Sequence, residues 1–178
     1  MSKITFEQSE IAKKLANYKM PRYDEMTPFP VVMRQLVSIL DGYLSIFRAP
    51  GEEKLLTQSM INSYVHNKVV KAPENKEYTK NHIVHLICIG ILKQVLSMDD
   101  ISKILKLQTD QYSLEVAYNY FCDEIEQALS VTFGSRSFAE LKHKPKVITP
   151  LSESARSAVI AFANKIYVKH SINFELNN

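Results

Sequence analysis

Polar side chains that can hydrogen-bond to DNA bases recur at helical spacing between Thr57 and Asn67. Tyr64 and Val65 follow Ile61 at spacings of three and four, so the three residues share one side of a helix in this segment. The opposite side carries five polar residues: Gln58, Ser59, Asn62, Ser63 and His66. Asn and Gln side chains can make two hydrogen bonds to the N6/N7 edge of adenine, and Ser can reach bases or phosphates. The segment therefore predicts a helix that reads bases, although an ordinary surface helix shows the same pattern.

Lysines are concentrated in and around the segment that follows this helix. Residues 54–93 contain six Lys against two Glu, whereas residues 94–130 contain two Lys against seven Asp and Glu. The net charge of the whole chain is only +3, so positive charge is concentrated beside the polar helix. A solvated surface is the alternative interpretation of these charges. The lysines predicted to neutralise phosphates are Lys68, Lys71, Lys76 and Lys80.

Two histidines and a cysteine raise a second possibility. His82 and His85 lie three residues apart, so on a helix they could share a metal ion, with Cys88 one turn further along. Apolar residues surround them, and no paired Cys or acidic ligand is near in sequence. We therefore expect no metal: His82 and His85 should lie at the polar margin of the helix, and Cys88 should pack as a small hydrophobe.

Aromatic and acidic residues cluster farther along the chain. Asp123, Glu124 and Glu126 are predicted to form a solvated helix edge, or to complement the basic linker Lys142–Lys146. Four aromatic side chains could line an effector pocket or a dimer seam, although core packing is the expectation. They are Tyr112, Tyr118, Tyr120 and Phe121.

Motifs of catalysis and of membrane insertion are missing from the sequence. It has no Gly-rich phosphate loop, nucleophile elbow, HExxH or Cys-x-x-Cys motif, and only four Gly in total. We therefore expect no enzyme and no cofactor. The first residues lack the apolar run of a signal peptide, and the most apolar segment, Ile83–Leu96, is too short to span a bilayer. Two Cys far apart suit a reducing compartment, so the sequence predicts a cytoplasmic protein.

Helices must position these side chains, because nearly all the periodicity of the chain is helical. Met20–Pro30 is predicted as a loop or extended arm, and Val69–Val70 with Glu77–Tyr78 as a small hairpin. The segment that follows Thr79 is apolar on almost every side, which predicts a helix buried all round. The fold class is therefore mostly α. Helices are predicted over residues 6–18, 32–44, 57–67, 80–95, 98–105, 110–133 and 149–170.

The order of these parts resembles the DNA-binding domain of MerR-type regulators. Tyr64 falls at the second aromatic of that family's recognition helix, and Val69-Val70 at the apolar pair before its wing. Lys76-Glu77-Tyr78-Thr79 matches the wing exit and Leu96-Ser97-Met98-Asp99-Asp100-Ile101 the last element. The resemblance implies a winged helix-turn-helix with a small β-hairpin wing, followed by long C-terminal helices through which two copies associate. The chain departs from the pattern at three positions, where the family has Arg, Gly and Gly: Asn62, Lys68 and Val95.

A second resemblance covers most of the chain. Met20-Pro21-Arg22-Tyr23, Leu56–Val65 and Ile91–Ser97 look like an uncharacterised bacterial family, a domain of unknown function related to the MerR-like helix-turn-helix. It implies the fold and DNA binding, with no ligand and no target. The predicted units are an N-terminal helix and proline-rich arm (1–30), a MerR-like domain (31–108) and an all-α region (109–178).

Two functions follow as hypotheses. The first is a DNA-binding transcriptional regulator, a homodimer in which residues 57–67 read bases and the wing, 69–78, contacts the duplex. Residues 110–133 and 149–170 would then supply a dimer interface, a pocket for a small-molecule effector, or both. The second is a protein-interaction module that keeps the fold without binding DNA. The two differ in salt response, because phosphate contacts weaken steeply with salt.

Overall fold

The computed structural model describes residues 4–135 and 150–177 and is mostly helical, with one small antiparallel sheet. Short 3-10 turns at Phe6–Gln8 and Ser45–Phe47 and a π turn at Val131–Ser135 supplement the helices. The basic linker 142–146 and the predicted cap Thr149 lie outside the described residues. The strands are β1 (Val31–Val32) and β2 (Glu77–Tyr78). The helices are α1 (Glu10–Ala16), α2 (Met33–Leu44), α3 (Gln58–His66), α4 (Lys80–Leu92), α5 (Met98–Gln111), α6 (Leu114–Ser130) and α7 (Pro150–Leu176).

Helix α4 is the centre of the fold, as its all-round apolar sequence predicted. Ten of its thirteen residues are buried, and it contacts α2, β2, α6 and α7. Gly90 permits part of this packing, because a Cβ there would lie 2.9 Å from Leu44 Cδ1 and 3.1 Å from Leu56 Cδ1. The end of α2 and the turn before α3 can therefore approach α4 closely. One continuous core joins the N-terminal arm, α2–α5 and the C-terminal helices.

The sheet corrects the predicted hairpin. Glu77–Tyr78 is a strand, but it pairs with the arm at Val31–Val32 rather than with Val69–Val70. The backbone N–H groups of Val69 and Val70 instead donate to the Tyr64 carbonyl, at 2.9 and 3.2 Å, where they close the end of α3. Groups used in this way cannot also form a ladder with β2. The predicted turn does exist, one residue further on than Pro73-Glu74-Asn75 suggested.

Helix boundaries follow the capping residues. The Thr57 hydroxyl accepts a hydrogen bond from the Met60 N–H at 3.3 Å, and Ser97 from the Asp100 N–H at 3.2 Å, so both predicted caps are confirmed. The predicted single helix 110–133 is wrong at its start: α5 continues to Gln111 and α6 begins after Ser113, whose hydroxyl accepts from Val116 N–H. The first predicted helix is likewise divided by a cap, Ser9.

The arm that precedes β1 is fastened to α6. Arg22 forms ion pairs with Asp123 at 2.8 Å and with Glu126 at 2.9 Å, and the Tyr118 hydroxyl donates to the Pro21 carbonyl at 2.9 Å. Burial opposes the charge of Arg22, but the two carboxylates outweigh it and raise the pKa of the guanidinium. The prediction of a solvated acidic edge was therefore wrong. Glu124 is also buried, 3.5 Å from the guanidinium of Arg156 on α7.

The C-terminal helices complete the core. α6 and α7 pack along each other, and α7 continues to Leu176, beyond the predicted end at His170. Tyr118 and Phe121 are buried, which confirms core packing for these two aromatic residues, while Tyr112 is exposed. None of the helices in the described residues combines the length and hydropathy that a membrane span requires.

Candidate nucleic-acid interface

Helix α3 is held to the core by one side only. Ile61 and Tyr64 are buried, whereas the opposite side faces solvent. At the C-terminal cap of α4, the Lys93 ammonium lies 3.1 Å from the Met60 sulfur, and burial lowers the pKa of Lys93. Packing along one side leaves the other side of α3 available to a partner. The five polar residues predicted to read bases are all exposed: Gln58, Ser59, Asn62, Ser63 and His66.

The end of α3 is a Schellman motif built around a lysine. Val69 N–H donates to the Tyr64 carbonyl at 2.9 Å and Lys68 N–H to the Val65 carbonyl at 3.1 Å. Lys68 has a φ of 59°, in the left-handed region where Gly is normally found. This geometry explains why a Gly is the usual residue here and shows that Lys68 takes up the same conformation. The exposed side chain of Lys68 therefore lies at the end of the helix.

A tight turn lies farther along, at Glu74–Glu77, and is called the tip below. Glu77 N–H donates to the Glu74 carbonyl at 2.8 Å. The two central residues, Asn75 and Lys76, have φ values of 50° and 64°, as a type I′ turn requires. Both are exposed. Asn75 was missed as a site candidate, although its tolerance of positive φ was the available signal.

The lysines of the basic segment divide into two groups. Lys54 pairs with Asp41 at 3.1 Å and Lys93 contacts Met60, so both serve the fold. The other group is the four lysines predicted to contact phosphates. They follow one another from the end of α3 to the start of α4: Lys68, Lys71, Lys76 and Lys80. Lys68, Lys71 and Lys76 are exposed, and Lys71 lies 3.6 Å from Glu74. Lys80 is half-buried, with its ammonium 4.3 Å from the centre of the Tyr23 ring.

His82 stabilises the junction between β2 and α4. Its Nδ1 accepts a hydrogen bond from the Thr79 N–H at 3.0 Å, which caps α4, and its ring packs edge-on against Tyr78 of β2. Burial lowers the pKa of His82, and the neutral ring is the form that can accept this bond. The prediction that His82 lies at a polar margin was wrong, because the residue is buried in a capping role.

The metal hypothesis gains no support from the geometry. Among the described residues, no three His, Cys, Asp or Glu side chains form a group that could hold a metal ion. Cys88 is buried, as predicted, and burial raises its pKa; burial also raises the pKa of Cys122 to about 12. Both thiols are therefore protonated at neutral pH and poorly reactive.

Together these features define a mostly helical protein with one buried central helix, a short helix with an exposed polar side, and a lysine-bearing tip. Residues 21–121, from the fastened arm through α2–α5 into α6, match the model of the family described as Domain of unknown function (DUF1836). The chain belongs to this family, so the predicted membership of a domain-of-unknown-function family is confirmed. No curated protein and no solved structure matches the chain.

Proposed function

We propose that this chain is a DNA-binding transcriptional regulator. Helix α3 reads bases in the major groove, and the tip and neighbouring lysines hold the phosphate backbone. The observation that carries the proposal is the fixed connection between these two parts. The N–H groups of Val69 and Val70 both donate to the Tyr64 carbonyl, so the segment leading to the tip leaves the end of α3 from a fixed point.

The dimensions of α3 fit this role. A helix of nine residues is about 13 Å long, which suits the width of the major groove. In a helix-turn-helix the second helix enters the groove while the first crosses the backbone, and α2 contacts α3 here as that first helix. Gln58, Asn62 and His66 lie at spacings of four along the exposed side and would contact successive base edges.

Contacts between lysines and phosphates would position the protein on the duplex. Lys68 and Lys76 are exposed on either side of the segment that joins α3 to β2, with Lys71 between them. Lys80, at the start of α4, would add a further positive charge close to the tip in sequence. Such contacts fix the register of a protein on DNA without reading sequence.

The finer parts of the proposal follow the MerR resemblance. The order α2, α3, tip, α4, α5 is the order of that winged helix-turn-helix, and the predicted homodimer belongs to it. A two-fold dimer would place two copies of α3 on a palindromic operator, with half-sites separated by about one helical turn. The domain limits 31–108 and 109–178 remain predictions, as does a small-molecule effector.

The test is selection of bound duplexes from random genomic fragments, followed by binding measurements over a range of salt concentrations. We expect log K to fall with log salt at a slope of roughly −0.9 per phosphate contact. Lys76→Ala should reduce that slope by about one contact, and Asn62→Ala should relax sequence preference at one position. Lys13→Ala on α1 is the matched control, since it removes the same charge from an exposed site far from α3 in sequence.

Two results would count against the proposal. Failure to enrich any duplex at low salt would remove DNA as the partner and favour the protein-interaction module. Equal loss of affinity in Lys76→Ala and Lys13→Ala would show that binding depends on net charge rather than on the tip.

A further inference from the structure

An open groove lies between α5 and the first half of α7. Its volume is about 480 Å³. Ser154, Ser157 and Ala161 of α7 form one side, and their small side chains create the space. Leu96 and Ile104 form the apolar opposite wall. The groove therefore has the shape and lining to accept large apolar side chains that arrive along the helix.

The second half of the same helix exposes large apolar side chains. Val168, Ile172 and Leu176 are 53%, 55% and 80% exposed and follow one another at spacings of four. Ala161 precedes Val168 by seven residues, so groove and exposed residues share one side of α7. We call this side of α7 the outer face. Its first half is concave and carries small side chains, and its second half carries large apolar side chains.

We infer that the outer face of α7 binds a second copy of this chain in an antiparallel arrangement. A two-fold axis near Lys165 places Val168, Ile172 and Leu176 of each copy in the groove of the other. Such an interface is isologous and closes on itself, which gives a dimer and no further growth. One helix thus provides both halves of a self-complementary contact.

The size of the outer face suits a dimer. Ser154 to Leu176 spans about 33 Å at ~1.5 Å per residue, and two helices side by side are ~20 Å wide. Since α5 lies beside α7 only along the groove half, the face is ~20 Å wide there and ~10 Å wide along the second half. The area is roughly 500 Å² per copy, at the low end for specific protein interfaces. Both ends of the face are covered in this arrangement, since each α5 flanks the other copy's α7.

The charges near the outer face are compatible with burial. Lys165 would lie at the two-fold axis, but its ammonium donates to the Gln94 carbonyl at 2.7 Å. The charge therefore points towards the end of α4, and the aliphatic stem remains on the face. At the groove rim, Asp100 accepts from the Ser97 hydroxyl at 2.6 Å and Lys103 pairs with Asp99. Each of these charged groups therefore has a hydrogen-bond or ion-pair partner within its own copy.

The inference rests on the homodimer of the proposed function and extends it by naming its surface, and its evidence comes from α7 and the neighbouring wall of the groove. Sedimentation equilibrium of the full chain should give twice the mass of one chain at micromolar concentrations. Ile172→Asp should weaken association about a hundredfold, because two carboxylates would be buried without partners. Val116→Asp on α6 is the matched control, because Val116 is 56% exposed and Ile172 is 55% exposed. We expect it to leave the dimer intact.

A mixing experiment tests the groove itself. Ser157→Arg should block the groove and give a monomer on its own. A mixture of Ile172→Asp with Ser157→Arg should recover dimers, because an open groove on one copy then meets an intact apolar stripe on the other. Helical content by circular dichroism checks that each variant is folded.

Each outcome decides the inference. A monomeric wild-type chain, or a dimer that Ile172→Asp leaves unchanged, would overturn it. A Ser157→Arg variant that still dimerises would also overturn it, since association would then use the apolar stripe without the groove. Duplex binding is measured separately. A dimer that binds no DNA would refute DNA binding and leave this inference intact. A DNA-binding monomer would refute this inference and the homodimer of the proposed function, and leave DNA binding intact.

Discussion

Helices α3 and α7 both bury one side against the same core, but their outer sides are opposite in chemistry. The outer side of α3 carries Gln, Ser, Asn and His, followed by exposed lysines. The outer face of α7 carries small residues and then Val168, Ile172 and Leu176. The inward sides explain the fold, whereas the outward sides differ as surfaces for nucleic acid and for protein differ.

Backbone strain separates the two regions further. In the described part of the chain, the non-glycine residues with positive φ are Lys68, Asn75 and Lys76, all at the α3 exit or the tip. Each such residue costs about 1 kcal/mol or more, and the cost is greater for Lys than for Asn. The proposed nucleic-acid surface thus holds two lysines in conformations that a glycine would adopt without strain. α7 is a regular helix over its 27 residues.

The largest expected effect is a loss of stability at the central helix. Ile87 on α4 is fully buried, so Ile87→Ala should reduce the free energy of unfolding by about 3 kcal/mol. Duplex binding and self-association should fall together, because α4 supports both α2–α3 and α7. Urea denaturation measures the loss. Leu107→Ala, on the exposed side of α5, is the control and should cost much less.

Removing one helix cap at α3 and one at α6 should separate the surfaces. Thr57→Ala and Ser113→Ala each remove one capping hydrogen bond, and each should cost about 1 kcal/mol in unfolding free energy. Only Thr57→Ala should also weaken duplex binding, because it loosens the start of α3. Equal binding by the two variants would mean that α3 does not contact DNA.

A smaller effect is expected at Lys68, where one substitution should increase the stability of the fold and decrease the affinity for duplex. Lys68→Gly relieves the positive φ and should raise the free energy of unfolding by about 0.5–1 kcal/mol. The same variant should bind duplex more weakly and lower the salt slope by about one contact. Thermal melting and salt titration check the two halves. A variant that is stabilised with unchanged binding would remove Lys68 from the interface.

The mildest effect is expected from acidification. Burial lowers the pKa of His82, His85 and His170 in the folded chain, so the unfolded chain binds protons more readily. Stability should therefore decrease as the pH falls below about 6.5, the ordinary histidine value. His82→Gln keeps an acceptor for the Thr79 N–H and should flatten part of this dependence. Unfolding free energies measured on either side of that pH provide the check.

Local signals predicted much of the fold. Thr57 and Ser97 fixed helix starts because a cap is a contact between neighbours in sequence, and the composition of α4 revealed its burial. The partner of β2 could not be predicted, since Val31–Val32 lies far away in sequence and Val69–Val70 was an equally apolar candidate. The break at Ser113 was missed because apolar spacing continues across it. The acidic residues of α6 were misread because their partner, Arg22, lies on the distant arm.

The sequence predicted which residues of the candidate site are exposed. It did not predict the backbone conformation that some of them adopt. The sequence indicated which residues of α3 face outward, since that depends on helical period alone. It could not indicate that Lys68 and Lys76 adopt left-handed backbone, because propensity argues against Lys there. The groove beside α7 was also beyond prediction, as it needs the relative placement of α5 and α7.

The burial of α4 on every side has a consequence for the dynamics of the chain. Its backbone amides can exchange with solvent only when the surrounding helices separate, so they should exchange at the rate of global unfolding. A ligand that binds only the folded chain lowers the population of such openings, wherever it binds. The same α4 amides should therefore exchange more slowly with duplex bound at α3 and with rising protein concentration if α7 pairs. One set of deuterium-exchange signals would thus report on both surfaces.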